Sequence, residues 1–340
     1  DGSVKTNNQL FTVPGNEQFL YFLGRVAAND GIELAAGSTT NLAGIALSNP
    51  EAPLRADGTR YNFGRLIAGG SISAAAAFNP TNDTSQALFL NPAYGIVAYP
   101  DPTSTSQTPP PLLAQTAGRR FVARPGALLD VSGTSATFDF QVSEGRYAPS
   151  LQWSDAGTVA LRAGGTLSGA TVRALGGAPA ATGGTLEWLL PTVRAADDGA
   201  AANNVAFADA ITTSGFDTLI AYGGLTLDGA FTLQLGKSLL VRSPASLDGT
   251  PIGPNAAVTI SATQGTNAVV EAPYFAFASR SGTVRNSGVA TGDAAVTFSA
   301  GALGMDFFGS TLFDSSIART NLNSVADVRL IGVDDRADIT

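Results

Sequence analysis

Residues Asp155 to Gly177 of this 340-residue chain read DAGTVALRAGGTLSGATVRALGG. Thr158 to Ala163 alternates small polar with apolar residues, and two shorter runs of the same kind, Thr166-Leu167 and Thr171 to Leu175, follow after glycines. The pattern predicts three very short strands joined by tight glycine corners, with no room for a helix between them. We interpret it as one coil of a right-handed parallel β-solenoid (β-helix), in which each coil buries its inward side chains by stacking on its neighbours.

The composition favours an elongated array of such strands. The chain contains 39 Gly and 18 Pro, and charged residues make up only 14% of it. A disordered chain would carry more charge and fewer of the Val, Ile, Leu and Phe residues that close a core. We therefore predict an all-β protein in which residues 1–340 form one continuous β-helix segment with loop excursions.

Residue types that are missing exclude several kinds of chemistry. The chain has no cysteine, which excludes disulfides and thiolate catalysis. It has no histidine either, and this removes the commonest general base and the commonest zinc ligand. We expect no cofactor and no enzymatic activity.

The charge pattern bears on partners. The net charge is −8, the only lysines are Lys5 and Lys237, and the longest basic run is Arg119-Arg120. We expect no basic surface that could bind a phosphate backbone, so nucleic acid is not a predicted partner. No apolar stretch approaches the roughly 18 to 20 residues of a membrane-spanning helix. The chain begins with Asp1 and shows no signal peptide, so we expect a processed chain or an excised segment of a longer protein.

Two intervals depart from the coil pattern. Residues 49–120 contain three Asn-Pro pairs and the run DPTSTSQTPPPLL, interrupted by strands at Arg65 to Ile67 and Ser71 to Ala75. Proline cannot donate a backbone hydrogen bond inside a β-ladder. This interval is therefore predicted to lie outside the β-helix and to carry the surface that contacts partners. Residues 197–210, DDGAAANNVAFADA, are predicted to be a minor excursion that forms a short helix or a loop.

Several strands can be aligned with one another on their apolar positions. They read TVALRA, TLEWLL, TLIAYG, AVTISA, AVTFSA and DVRLIG, and we align them on Val159, Leu186, Leu219, Val258, Val296 and Val328. The irregular spacing suits coils of about 20 residues with insertions. A stacked aromatic column is expected towards the C-terminal end from Phe275, Phe277, Phe298, Phe307, Phe308 and Phe313.

Four pieces of the sequence resemble one family of bacterial proteins. They are GIELAAGSTTNLAG (Gly31 to Gly44), RPGALLDVSG (Arg124 to Gly133), DAGTVALRAGGTLSG (Asp155 to Gly169) and DVRLIG (Asp327 to Gly332). Together they resemble the large exoproteins of the filamentous haemagglutinin family, which Gram-negative bacteria export by two-partner secretion. The amino-terminal secretion domain and the toxin-like carboxy-terminal region of that family are not recognisable. The resemblance is therefore to an internal piece of the shaft.

This resemblance implies a parallel β-helix shaft, secretion through an outer-membrane partner, and display on the cell surface of a Gram-negative bacterium. The implied role is that of an adhesin or filament, in cell adhesion, aggregation or a surface fibre. The implied partners are a host-cell or glycan receptor, or further copies of the chain itself.

Parallel β-helices also form polysaccharide lyases and glycoside hydrolases, so a carbohydrate-active enzyme is the alternative hypothesis. Such an enzyme needs two carboxylates about 5 to 10 Å apart beside a sugar groove. By rough register the candidate pairs are Asp139 with Asp155, Glu187 with Asp217, and Asp228 with Asp248. Asp228 and Asp248 each precede a glycine and are first of all turn residues. A calcium site at Asp197-Asp198 or Asp334-Asp335 is the weaker alternative to solvated turns.

Exposed aromatic residues are the candidate glycan contacts, because aromatic rings stack on sugars. The candidates are Trp153 beside the organising coil, and Tyr61, Tyr94 and Tyr99 in the 49–120 interval. Trp188 alternates with Leu186 and is expected to share its inward face.

Overall fold

The structure is a computed structural model. It describes residues 32–74, 121–161, 165–167, 169–195, 205–242, 258–279 and 290–331, together with four strands at 7–8, 21–23, 87–91 and 95–99. No helix among these residues is long and apolar enough to cross a membrane.

The described residues form short β-strands and one short α-helix. The strands of the first half are β1 (Asn7–Asn8), β2 (Tyr21–Leu23), β3 (Ile32–Leu34), β4 (Thr39–Asn41), β5 (Ile45–Ser48), β6 (Gly64–Ile67), β7 (Ser71–Ala74), β8 (Ala87–Asn91), β9 (Gly95–Tyr99), β10 (Phe121–Ala123), β11 (Leu128–Asp130), β12 (Ser135–Ser143), β13 (Arg146–Trp153), β14 (Thr158–Leu161), β15 (Gly165–Thr166) and β16 (Thr171–Arg173). The second half contains β17 (Gly184–Leu189), β18 (Thr192–Arg194), β19 (Val205–Phe207), the helix α1 (Ala208–Ser214), β20 (Phe216–Tyr222), β21 (Gly224–Asp228), β22 (Ala230–Gln234), β23 (Ser238–Arg242), β24 (Val258–Ala262), β25 (Asn267–Ala278), β26 (Ala294–Phe308), β27 (Thr311–Phe313), β28 (Ile317–Ser324) and β29 (Val328–Ile331).

Most of these strands belong to three parallel sheets. The largest has ten strands, in the spatial order β7, β14, β17, β20, β23, β25, β26 and β28, with β22 paired to β25 and β29 paired to β26. A second has eight strands in the order β3, β10, β15, β19, β18, β21, β24 and β27, and a third has the three strands β4, β11 and β16. Neighbouring strands in all three run parallel. An all-β fold with parallel sheets, as predicted, is therefore confirmed.

The chain visits these sheets in turn. It passes through β3, β4 and β7, then β10, β11 and β14, then β15, β16 and β17, and each passage pairs with the one before. We call one passage a coil. Three short strands in Asp155 to Gly177 were predicted, and the structure places β14, β15 and β16 there. Glycines with positive φ turn successive coils at one shared corner, at Gly37, Gly126 and Gly169 (φ 75°, 82° and 72°).

One apolar column runs through the ten-stranded sheet. Its members, paired from strand to strand, are Ile72, Val159, Leu186, Leu219, Leu239, Phe275, Met305 and Val328. The six from Val159 to Met305 are buried, and burying a side chain of this size contributes about 1.5–3 kcal/mol. The predicted alignment is therefore confirmed for Val159, Leu186 and Leu219, and Val328 belongs to the same column.

The predicted alignment is wrong for Val258 and Val296. Val258 lies in β24 of the eight-stranded sheet, opposite Thr311. Val296 lies in the first half of β26, opposite Ala268 and outside the column. The near-identical segments AVTISA and AVTFSA therefore do not stack on each other. Strands of the ten-stranded and of the eight-stranded sheet both bury alternate residues, so alternation identifies a strand without identifying its sheet.

A neighbouring column places Trp188 inside the core, as expected from its alternation with Leu186. Trp188 pairs with Leu161 on one side and with Ala221 on the other, and its side chain is fully buried. The small side chain of Ala221 lies next to the large indole ring in this column, which suits close packing.

The predicted aromatic column is largely a cluster around Phe277. Rings with centroids 4.8–6.4 Å apart link Phe275, Phe277, Phe298, Phe307 and Phe313. Phe308 follows the inward-facing Phe307 directly, so its side chain points to the other side of the strand.

Helix α1 takes the place of a strand in one coil. It packs between β16 and β22, buries Ala208, Ile211 and Ser214, and ends at Gly215, whose φ is 84°. The three-stranded sheet therefore stops at β16, and strand pairing at this position resumes with β22. Within the predicted 197–210 excursion, Val205–Phe207 joins the eight-stranded sheet and the helix begins at Ala208, while residues 197–204 lie outside the described part.

Candidate functional site: the hairpin platform

Two antiparallel hairpins leave the parallel sheets at one corner of successive coils. The hairpin β5–β6 is inserted between β4 and β7, and β12–β13 is inserted between β11 and β14. The Gly70 N–H donates to the Leu42 carbonyl at 2.7 Å and the Gly157 N–H to the Val131 carbonyl at 2.7 Å, which closes the base of each insertion. Residues 49–63 form the loop that joins β5 to β6. We call the two hairpins, with this loop, the hairpin platform.

The β12–β13 hairpin corrects part of the sequence interpretation. The sequence analysis predicts excursions from the parallel coils only at 49–120 and 197–210, but Ala136 to Val142 lies in β12 and pairs antiparallel with β13. The turn at Glu144-Gly145, where Gly145 has φ 70°, reverses the chain. A half-buried hairpin strand and a coil strand show the same alternation, so the turn alone separates the two possibilities.

The loop 49–63 is held against β12 by one buried carboxylate. Asp139 accepts a hydrogen bond from Arg55 Nη2 at 2.5 Å and another from the Asn62 N–H at 2.6 Å. The Asp139 N–H donates to the Asn62 carbonyl, and Asn62 Nδ2 donates to the Thr137 carbonyl. The side chain of Asp139 is 4% exposed and that of Arg55 is 38% exposed. The ion pair is therefore shielded on the carboxylate side and open to solvent on the guanidinium side.

Three aromatic rings pack together above this ion pair. The ring centroid of Tyr147 lies 4.7 Å from that of Tyr61 and 5.1 Å from that of Phe63. The guanidinium carbon of Arg55 lies 5.0 Å from the centre of the Tyr61 ring, a cation–π geometry. The loop and the hairpin thus join into one surface.

An open pocket of about 680 Å³ lies between them. The loop contributes Arg55, Asp57 and Tyr61 to its wall, and the hairpin contributes Asp139, Tyr147 and Pro149. The pKa of Asp57 is lowered because the Thr59 hydroxyl and N–H donate to its carboxylate. The rim of the pocket therefore carries an ionised carboxylate next to an arginine.

A row of side chains extends from the pocket along one face of β13. Alternate residues of a strand share a face, which places Tyr147, Pro149, Leu151 and Trp153 in one row. Tyr147 is 37% exposed, Leu151 52% and Trp153 45%. The partners across the hairpin, Asp139, Thr137 and Ser135, lie on the same face. Phe140 lies on the opposite face, where it pairs with Ala148.

Of the four predicted glycan contacts, two lie on this platform. Tyr61 lines the pocket and Trp153 ends the row on β13. Tyr99 ends β9 in an antiparallel sheet with β1, β2 and β8, and Tyr94 lies outside the described residues. Glycan contact itself stays a prediction for all four.

The sequence interpretation missed Arg55 as a site residue. The Asp57-Gly58 dipeptide marks the turn that presents Arg55, and Gly58 has φ 83°. A pairing between residues 84 positions apart leaves no local pattern, so no signal in the sequence joined Arg55 to Asp139.

The candidate carboxylate pairs are engaged separately. Asp155 accepts the Thr182 N–H, Glu187 accepts the Tyr222 hydroxyl, and Asp217 accepts the Gly183 N–H. Asp228 binds Arg194 and the Thr263 hydroxyl, and these partners lower its pKa against the opposing effect of burial. Asp248 lies outside the described residues, as do both acidic doublets considered for calcium. The described ranges hold no group of three acidic side chains that could bind a metal ion.

Comparison with known proteins gives no further guide. No family model matches the sequence, no curated protein is similar to it, and no solved structure matches the fold.

Proposed function

We propose that this chain is a segment of a secreted, surface-displayed exoprotein whose parallel sheets form a right-handed β-helical shaft. Its role is structural and adhesive, and the hairpin platform is its contact surface. The platform serves cell adhesion or aggregation, with a host-cell receptor or a second copy of the exoprotein as partner.

The observation that carries this proposal is the eight-residue column from Ile72 to Val328. A column of this kind needs the chain to return to the same position once per coil, which is the construction of a solenoid. Parallel strands joined by crossovers are right-handed in about 98% of cases, which favours the right-handed form.

The position of the platform supports a contact role. The next coil crosses the same corner with a short loop, residues 175–183, and closes it with a hydrogen bond from the Gly184 N–H to the Ala174 carbonyl at 2.7 Å. The shaft can therefore pass this corner without a hairpin. Insertions into a repeat are where solenoids place binding surfaces.

The export route in this proposal comes from the resemblance to the filamentous haemagglutinin family. Secretion through an outer-membrane partner, on the surface of a Gram-negative bacterium, is the expected route.

The adhesive role can be tested by displaying the chain on a non-adherent bacterial cell and measuring attachment to epithelial cells and self-aggregation. In the test variant the loop 175–183 replaces the β12–β13 hairpin. We expect the intact chain to promote attachment and the variant to lose it while keeping its strand content by circular dichroism. Leu303→Ser, at an exposed leucine of β26 far along the shaft, is the control and should attach normally.

Two results would overturn the proposal. Attachment that survives loss of the hairpin would place the contact surface elsewhere. Release of reducing or unsaturated sugar ends from polysaccharides incubated with the chain would favour the enzyme hypothesis instead.

A further inference from the structure

We propose that the hairpin platform binds a neutral oligosaccharide of hexopyranoses, which lies along β13 from the Tyr147 pocket to Trp153. This inference rests on the proposed function only in taking the platform as the contact surface.

The aromatic rings define the class of ligand. Pyranose rings with equatorial hydroxyls present flat C–H faces that pack on aromatic rings, as other apolar groups do. Tyr61 and Tyr147 stand at the pocket and Trp153 at the far end of the row, and Tyr147 and Trp153 are 37% and 45% exposed. Large side chains in this state retain surface that a ligand can cover.

The polar groups of the pocket suit hydroxyls. The Arg55 guanidinium only donates hydrogen bonds, and the Asp57 carboxylate only accepts them. A sugar hydroxyl does both, so one ring can satisfy the two groups together. A proline-rich peptide also packs on aromatic grooves, but it has few N–H groups to offer to a carboxylate. The presence of both a donor, Arg55, and an acceptor, Asp57, therefore favours a sugar over such a peptide.

The charge of the site favours a neutral sugar over an anionic one. The pocket wall carries one cation, Arg55, and two carboxylates, Asp57 and Asp139. Arg55 is already paired with Asp139, and the whole chain has a net charge of −8. A sulfated or uronate-rich chain would meet repulsion at this site.

The dimensions favour an oligosaccharide over a single sugar. The pocket of about 680 Å³ lies within the range of roughly 300–1,000 Å³ that is usual for ligand sites. Trp153 lies six residue steps after Tyr147 along the extended strand, which makes the row about 20 Å long. A ligand that contacts both ends must therefore contain several linked sugars.

The test is a titration by calorimetry of the intact chain with cello-, chito- and β-galacto-oligosaccharides, each in a length series from disaccharide to hexasaccharide. Heparin fragments, oligogalacturonates and a proline-rich peptide are the comparison ligands. We expect binding of at least one neutral series, with affinity rising with length until the chain spans the row.

Three variants separate the two ends of the site. Tyr147→Leu keeps the apolar volume but removes the ring, and it should weaken every member of the series by about fivefold. Trp153→Ala should leave disaccharide binding unchanged and abolish the gain with length. Phe140→Ala, an exposed aromatic on the opposite face of the same hairpin, should bind as the unaltered chain does.

Several outcomes would overturn the inference. No binding of any neutral series, tighter binding of the anionic chains or of the peptide, or an equal loss from Phe140→Ala would each do so. Cell attachment without sugar binding would contradict this inference and leave the adhesive proposal standing. Sugar binding without cell attachment would contradict the adhesive proposal and leave this inference standing.

Discussion

Leu190 has the backbone conformation that Gly223 has one coil later. Leu190, between β17 and β18, has φ 47°, and Gly223, between β20 and β21, has φ 85°. The Leu190 N–H donates to the Tyr222 carbonyl at 2.9 Å, and the Gly223 N–H donates to the Arg242 carbonyl at 2.7 Å. The corner therefore requires a left-handed residue, and Leu190 is the one non-glycine residue with positive φ in the described chain.

Replacing Leu190 with glycine should stabilise the protein. A left-handed conformation costs a non-glycine residue about 1–2 kcal/mol, and the substitution removes this cost. The greater conformational entropy of glycine in the unfolded chain reduces that gain by about 0.5–1 kcal/mol. Leu190 is 39% exposed, so part of its apolar contact is lost as well. We expect a net gain of up to about 1 kcal/mol in the free energy of unfolding, measured with urea. Leu303→Gly, at an exposed leucine without positive φ, should destabilise; the same sign for both would contradict the prediction.

Truncating Phe298 should be among the most damaging changes to the core. Its ring makes edge contacts with Phe275 and Phe277 at centroid distances of 5.7 and 5.4 Å, and it is fully buried. Phe298→Ala should lower the free energy of unfolding by about 3–5 kcal/mol. Phe140→Ala removes the same atoms from an exposed strand and should cost less than about 1 kcal/mol. Similar costs for the two variants would show that the aromatic cluster is not tightly packed.

The carboxylate of Asp306 should make stability depend on pH. Asp306 accepts two hydrogen bonds of 2.6 Å from Arg329 and one of 2.7 Å from the Tyr274 hydroxyl. Burial raises the pKa of Asp306, but the hydrogen bonds from Arg329 and Tyr274 outweigh it, so its pKa lies below the ordinary 3.8. A lowered folded-state pKa stabilises the protein above the ordinary value, and this contribution is lost as the pH falls through the folded-state value.

Asp306→Asn should therefore be less stable than the unaltered chain at about pH 7 but nearly equal to it at about pH 2. Because the Arg329 side chain is 56% exposed, solvent screening limits the difference at neutral pH to about 1–2 kcal/mol. Urea unfolding at both pH values measures it, with Glu144→Gln at the exposed hairpin turn as the control. A gap that persists at low pH would mean that the charge of Asp306 is not its cause.

Removing the Asp139 carboxylate should release the loop 49–63 from the platform. Asp139→Ala leaves Arg55 and the Asn62 N–H without their acceptor, so the loop should open more often. Trypsin cleavage after Arg55 or Arg60 should become about tenfold faster, since cleavage follows local opening. Glu51→Ala alters an exposed carboxylate of the same loop and should not change the rate. Equal rates in Asp139→Ala and the unaltered chain would show that the ion pair does not hold the loop.

The strands of the parallel sheets were predictable because their pattern is local. TVALRA, TLEWLL and TLIAYG each alternate within six residues, and Val159, Leu186 and Leu219 stack as expected. Assignment to a sheet was not predictable, since it depends on how many corners the chain turns between strands. Val258 and Val296 show this, because both lie in good strands outside the predicted column.

The candidate site was predictable only in its general position. The proline- and asparagine-rich interval after residue 48 pointed to an excursion that includes Tyr61, and the exposure of Trp153 agrees with its polar neighbours. The joining of that loop to the next hairpin depends on Asp139 and Tyr147, which lie in the hairpin of the following coil. Contacts of that kind follow from stacking and have no signature in the local sequence.

Helix α1 makes one level of the molecule mechanically different from the rest. When the molecule is pulled along the stacking direction, hydrogen bonds between neighbouring coils resist the separation in each sheet that crosses the level. The helix is joined to the coil of β16 by a backbone hydrogen bond from the Ala174 N–H to the Ser214 carbonyl at 2.7 Å, but it packs on β22 through side chains, so the third sheet resists less at this level. A stretched chain should therefore part first at α1, and the pieces on either side would separate as folded blocks.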